Sequence, residues 1–149
     1  MDRDAKIFMA VLFSLLFCAG SASAADQWHQ FPVDNAIHGA LGKDKLLPGI
    51  KLFMKGEKHP GLQKKLGEFE ANKRSNGLGK SDQVACDVAF LSALISLQSR
   101  AQREGGNAVV DIYTITKDRK FESVTEYSCL AGKMVVNVAL MGTVAQLDD

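Results

Sequence analysis

Few residues of this 149-residue chain have types and spacing that could do chemistry. The most suggestive run is Gly79-Lys80-Ser81, which falls between a strand-like stretch and a helix-like one. A phosphate-binding loop places Gly-Lys-Ser there, so that backbone N–H groups and the lysine cradle phosphates. The full pattern needs a second glycine five positions before Gly79, and that position is Arg74. Gly77 is offset and cannot replace it. Ala108-Val109-Val110-Asp111 mimics the apolar strand whose terminal acid holds magnesium in nucleotide hydrolases. Without the first glycine, Ser81 reads as a helix cap and Lys80 as a loop cation, and no nucleotide site is expected.

The histidines are His29, His38 and His59. None stands four residues from another, so no zincin pattern exists, and a loose metal site from these histidines and nearby carboxylates is the weak alternative. No G-x-S-x-G elbow is present to expose a nucleophilic serine. Cys86 and Cys129 lack C-x-x-C spacing and an evident basic partner, so redox catalysis is not expected. An even pair in an exported chain is most simply a disulfide, closing a loop of about 44 residues that is worth up to ~4 kcal/mol by chain entropy. Two buried thiols or a shared metal stay open, although two cysteines make a poor zinc site.

These residues must be positioned by recognisable elements. Ser81 is a good N-cap, and Asp82 sits where a helix dipole favours an anion. The helix should run from about Asp82 to Glu104, ended by Gly105-Gly106. Val84, Val88, Phe90, Leu91, Leu94, Ile95, Leu97 and Ala101 would cover about half its circumference, which suits a helix lying on a sheet. Upstream, Pro32 to Leu41 reads as a short helix with Val33, Ile37 and Leu41 on one face. Pro48-Gly49 marks a turn, and Ile50, Leu52 and Met54 alternate as a short strand ended by His59-Pro60-Gly61. Leu62 to Arg74 reads as a strand with Lys64, Leu66, Glu68 and Glu70 on one side and Lys65, Gly67, Phe69 and Ala71 on the other. Downstream, 107–116, 121–129 and 134–147 read as three strands of an antiparallel meander. The expected fold is α+β, one long helix packed on a mainly antiparallel sheet, in the order β-β-α-β-β-β.

Composition sets the compartment. Arg3 and Lys6 precede an apolar run from Ile7 to Phe17, and Ala22-Ser23-Ala24 is an A-x-A cleavage site. Residues 1–24 are therefore expected to be a signal peptide and 25–149 a single exported domain, periplasmic or secreted after cleavage near Ala24 or Ala25. The run is short for a membrane span, and Phe17 before Cys18 does not fit a lipobox, so no stable anchor is expected. The formal net charge of +1 argues against nucleic acid as a partner. Charge is uneven: residues 51–80 carry eight Lys/Arg and three Glu, and residues 81–149 six Lys/Arg and nine Asp/Glu.

Three resemblances follow from quoted residues. The stretch Lys65-Leu66-Gly67-Glu68-Phe69, the helix ending in Ala101 to Glu104, the run Gly105-Gly106-Asn107-Ala108-Val109-Val110, then Tyr127-Ser128-Cys129 and the final strand resemble two related groups. One is the YbjQ-type family of small heavy-metal-binding domains, and the other is the globular domain of the RcsF envelope-stress lipoprotein. His59-Pro60, Leu66 to Phe69, Gly79 to Asp82 and Ala85 to Leu94 resemble small exported bacterial proteins called "excinuclease ATPase subunit". The first implies metal binding and homo-oligomers, but brings no clear ligand set. The second implies envelope-stress sensing, but its lipobox and second disulfide have no counterpart here. The third name implies ATP-driven DNA repair, for which an incomplete phosphate loop and a leader make no provision. The expectation is a non-enzymatic binding or assembly domain without a cofactor, meeting an envelope protein or itself, with a metal-binding protein as the alternative.

Overall fold

The computed structural model describes residues 25–149. The leader expected over residues 1–24, with Cys18, lies outside the described residues. The elements are β1 (Gln27–Pro32), α1 (Val33–His38), α2 (Ala40–Lys45), β2 (Lys51–Met54), β3 (Leu62–Asn76), α3 (Asp82–Glu104), β4 (Ala108–Thr114), β5 (Glu126–Ala131) and β6 (Val135–Leu147), with a 3-10 turn at Thr116–Asp118. One long helix packs on a mostly antiparallel six-stranded sheet, as the pattern predicts.

Helix α3 has the expected bounds because its ends are chemically marked. Ser81 Oγ accepts the Val84 N–H at 3.3 Å, and Gly105 takes the left-handed conformation (φ 78°) that closes the C-terminus. Its buried face is Ala85, Cys86, Ala89, Phe90, Leu91, Ala93, Leu94, Leu97, Gln98 and Ala101. Val84, expected on that face, is 47% exposed. The alanines bring the helix axis close to the sheet, and the larger side chains interleave around them. The helix has the length and apolar content of a membrane-crossing one, yet it lies against β3 and β6.

Strand β6 organises the sheet. It pairs antiparallel with β3 along one edge, while the other edge meets β5 at its start and β4 at its end. The strands after the helix are therefore not a simple meander: β5 and β6 form a hairpin, and β4 joins the same edge of β6 further along. Where β6 changes partner, Thr116 Oγ1 accepts the Ala139 N–H at 2.8 Å and Thr114 Oγ1 accepts the Ser128 N–H at 3.2 Å, so these two threonines stand in for ladder acceptors at the gap. Strand β2 pairs parallel with β4, which the meander reading did not anticipate. The chain between them is long enough for a parallel crossover because it contains both β3 and α3.

Four further expectations change. Residues 27–32, where the sequence pattern marks no strand, form β1 on the edge of β5. The expected helix over 32–41 divides at Gly39 (ψ 168°), which turns Leu41 out to 42% exposure. Finally, β3 slips register between Lys65 and Gly67 (φ 135°), a bulge that moves Leu66 from the charged side to the core side beside Phe69. The expected strand over 121–129 shortens to 126–131, and Phe121 keeps only an isolated bridge to Thr114.

Candidate functional site

The side chains expected to carry chemistry are distributed, not gathered. Gly79 has φ 70° in the loop before α3, Lys80 is exposed, and Ser81 caps the helix. His29 lies on β1, with Nε2 3.1 Å from Asp82 Oδ2 but out of line for a hydrogen bond. His38 ends α1 and pairs through Nδ1 with Asp34 Oδ1 at 2.7 Å, one helical turn back. His59 Nδ1 lies 2.8 Å from its neighbour's carbonyl, Pro60 O. Among the described residues no three His, Cys, Asp or Glu side chains gather as metal ligands would. Asp111, read as the acid of a nucleotide hydrolase, sits at a register slip of β4 with φ 53°.

The two cysteines do meet. Their sulfurs are 2.07 Å apart, at disulfide distance, joining the first turns of α3 to β5. Around this staple the core is aromatic. Phe90 and Tyr127 stack with centroids 4.0 Å apart, Phe31 tilts against Tyr127 at 6.1 Å, and His29 stacks on Phe31 at 5.4 Å. Tyr127 is fully buried, and its hydroxyl donates to Asp87 Oδ1. Burial pushes the Asp87 carboxyl above the usual carboxylate range, and the Tyr127 hydrogen bond partly opposes that rise. Burial, reinforced by the bond to Asp87, holds the Tyr127 hydroxyl protonated well above its ordinary range.

At the other end of the sheet the structure holds an open groove of about 510 Å³. Its walls are α1, the 46–50 turn, β2 and the 124–125 segment, and Leu94 and Gln98 of α3 form its floor. Val33, Ile37, Leu46, Leu47, Ile50, Leu52, Met54 and Leu94 make the lining apolar, while Asp34, His38 and Glu57 bring polar groups to its edge. That is the size and character of a small-molecule site, apolar with a few polar groups.

Specific tethers fix the walls relative to one another. Gln98 is 1% exposed and lies in the otherwise apolar stripe of α3. Its Oε1 accepts the Leu47 N–H at 2.8 Å, and its Nε2 donates to Leu47 O at 3.1 Å and Ile50 O at 2.8 Å. One amide thus satisfies three backbone groups of the turn and fixes it over the helix. The Val33 N–H donates to Thr125 O at 2.9 Å, joining α1 to the 124–125 wall. Lys55 Nζ reaches Glu122 Oε1 at 2.8 Å, tying the end of β2 to the same segment. Glu57 Oε2 accepts the Met54 N–H at 2.9 Å and shapes the turn after β2.

Sequence patterning missed this groove. The signal it did contain was Gln98, a polar residue at helical spacing from Leu94 and Ala101, and Leu46-Leu47 directly before a Pro-Gly turn. Asp87 and Tyr127 were also missed, because a carboxylate near the start of a helix looks like an ordinary dipole partner. No protein-family model matches this chain, and no curated protein matches it either.

Proposed function

We propose that this chain is an exported, non-catalytic binding domain whose groove takes the apolar part of a small amphiphile. The observation that carries the reading is the groove itself: about 510 Å³ of apolar-lined space, one wall of which the buried Gln98 amide ties to the helix. An apolar-lined groove open to water is where an apolar occupant buries the most surface. Two carboxylates, Asp34 and Glu57, stand among its lining groups with no Lys or Arg among them. The favoured amphiphile therefore carries a cationic or hydrogen-bond-donating head.

Binding is favoured over catalysis by the separation of groove and chemistry. Asp87 and Tyr127, whose proton affinities burial alters, do not line the groove, and Ser81 is engaged as a cap. Export is supported by the Ala22-Ser23-Ala24 leader pattern and by two sulfurs at disulfide distance, a bond that persists in oxidising compartments. Intact mass of the exported protein with and without reductant reads both: loss of residues 1–24 and a two-hydrogen gain on reduction are expected.

The binding test uses a neutral fluorescent probe, N-phenyl-1-naphthylamine. Its emission should rise on mixing with the protein and fall on adding dodecylamine, with dodecanoate competing less well. Ile37→Trp, which adds bulk to the groove's wall, should weaken probe binding about tenfold while circular dichroism stays native. No emission change, or equal binding by Ile37→Trp, would refute the reading.

A further inference from the structure

Strand β3 is the longest strand of the sheet, and it is an edge. Among the described residues it has β6 along one side and no strand along the other. The phase of its backbone is fixed by two bonds. The Gly77 N–H donates to Met134 O at 2.9 Å, and Lys73 O accepts from Asn137 Nδ2 at 2.9 Å, so odd-numbered positions turn toward β6. The even-numbered positions 68 to 76 then turn their N–H and C=O groups to the open edge. The bulge at Lys65–Gly67 ends the regular stretch on one side, and Gly77 ends it on the other. What remains is a nine-residue extended edge with Asn72 at its centre.

The exposed side chains of that stretch are Glu68, Glu70, Asn72, Arg74 and Asn76. Natural edges often carry charge to stop pairing, and charges of one sign do that best. Here both signs occur, in an order that complements its own reverse. We propose that β3 pairs antiparallel with β3 of a second copy of this chain, about a two-fold axis at Asn72. Even positions then face even positions, so outward backbone groups meet outward backbone groups. Glu70 stands opposite Arg74 of the second copy, twice by symmetry, with Glu68 diagonal to the same arginine. Moving the axis to Glu70 sets that carboxylate against its own copy, which disfavours the slipped register. Helix α3 lies over β3 and β6, so an interstrand spacing of ~4.8 Å brings the two copies of the helix to roughly packing distance, without overlap.

Such an edge-only contact is small, so the dimer should be weak, concentration-dependent and favoured by low salt. Sedimentation equilibrium of the exported protein over a wide dilution series tests it. The expected result is a monomer–dimer equilibrium. Arg74→Glu alone and Glu70→Arg alone should each weaken association about tenfold or more, since each reversal acts twice across the axis. The double exchange Glu70→Arg with Arg74→Glu should restore it. Asn72→Pro removes an outward N–H together with the side-chain bond that Asn72 Oδ1 accepts from Asn137 Nδ2 of β6, and should abolish association while circular dichroism stays native; Asn72→Ala, which loses the same side-chain bond and keeps the N–H, should still associate. A protein monomeric at every concentration, a dimer indifferent to these changes, or restoration only by exchanging Glu68 with Arg74 would overturn the Asn72-centred pairing.

Discussion

The two ends of the sheet are built on opposite principles. At the stapled end, the start of α3, β5 and β1 are drawn together by Cys86–Cys129, by the Phe90–Tyr127 stack and by the buried Tyr127–Asp87 bond. At the groove end, the helix meets α1, the 46–50 turn and β2 across a hollow, and a single glutamine amide governs the spacing. Covalent and aromatic contacts remove freedom from one end and so allow the other to keep unfilled apolar surface. A fold that leaves such a hollow forgoes packing there and must recover the stability elsewhere. The contrast can be broken or sharpened by acting on each end separately.

The largest effect is expected at the staple. Replacing Cys86 and Cys129 by serine removes a cross-link whose chain-entropy value is ~4 kcal/mol, so thermal melting should fall by about 10–20 °C. Probe binding in the groove at low temperature should persist, because none of its walls belongs to the staple. At the groove, Gln98→Leu leaves one N–H and two carbonyls of the 47–50 turn without their partner, at a cost of ~2–3 kcal/mol by denaturant melting. Unlike the serine pair, this change should also weaken probe binding, and that difference separates the two ends.

A smaller effect is expected from Tyr127→Phe, which keeps the ring stack and deletes the hydroxyl. It should cost about 1–2 kcal/mol near neutral pH, where Asp87 loses its buried donor. The smallest is a pH effect at Asp87. Because burial raises its affinity for a proton, the folded chain holds that proton more tightly than the unfolded chain. Stability then falls as pH rises from the ordinary carboxylate range through the raised value of Asp87. Asp87→Asn removes that fall, so the stability of the variant relative to the parent should rise with pH across this window. Urea melts of both proteins at stepped pH check the sign.

Local signals made the helix readable. Ser81, Asp82 and Gly105 mark its ends without help from tertiary structure, and the strand read over 134–147 became β6. The cysteine pair was readable from composition: with Cys18 of the three cysteines set in the expected leader, Cys86 and Cys129 remain to pair. What was not readable depended on partners distant in sequence. Strand β1 has weak alternation of its own and exists because β5 offers an edge. Leu66 was set on the wrong face because a one-residue bulge at Gly67 reverses the alternation, and a glycine in mid-strand was the available warning. The groove was hidden more completely. Each of its leucines and isoleucines is indistinguishable, in sequence, from a residue packed in a closed core. Only the tethers from Gln98, Val33 and Lys55 decide that these side chains line a space.

The groove reading is tested most directly by methyl-resolved nuclear magnetic resonance of the exported protein during a dodecylamine titration. The prediction is saturable shifts at Ile37, Ile50, Leu52 and Leu94, with Val136, Val138 and Leu140 in the closed core unmoved. Methyl signals that stay fixed throughout, or shifts spread evenly over the whole domain, would contradict it.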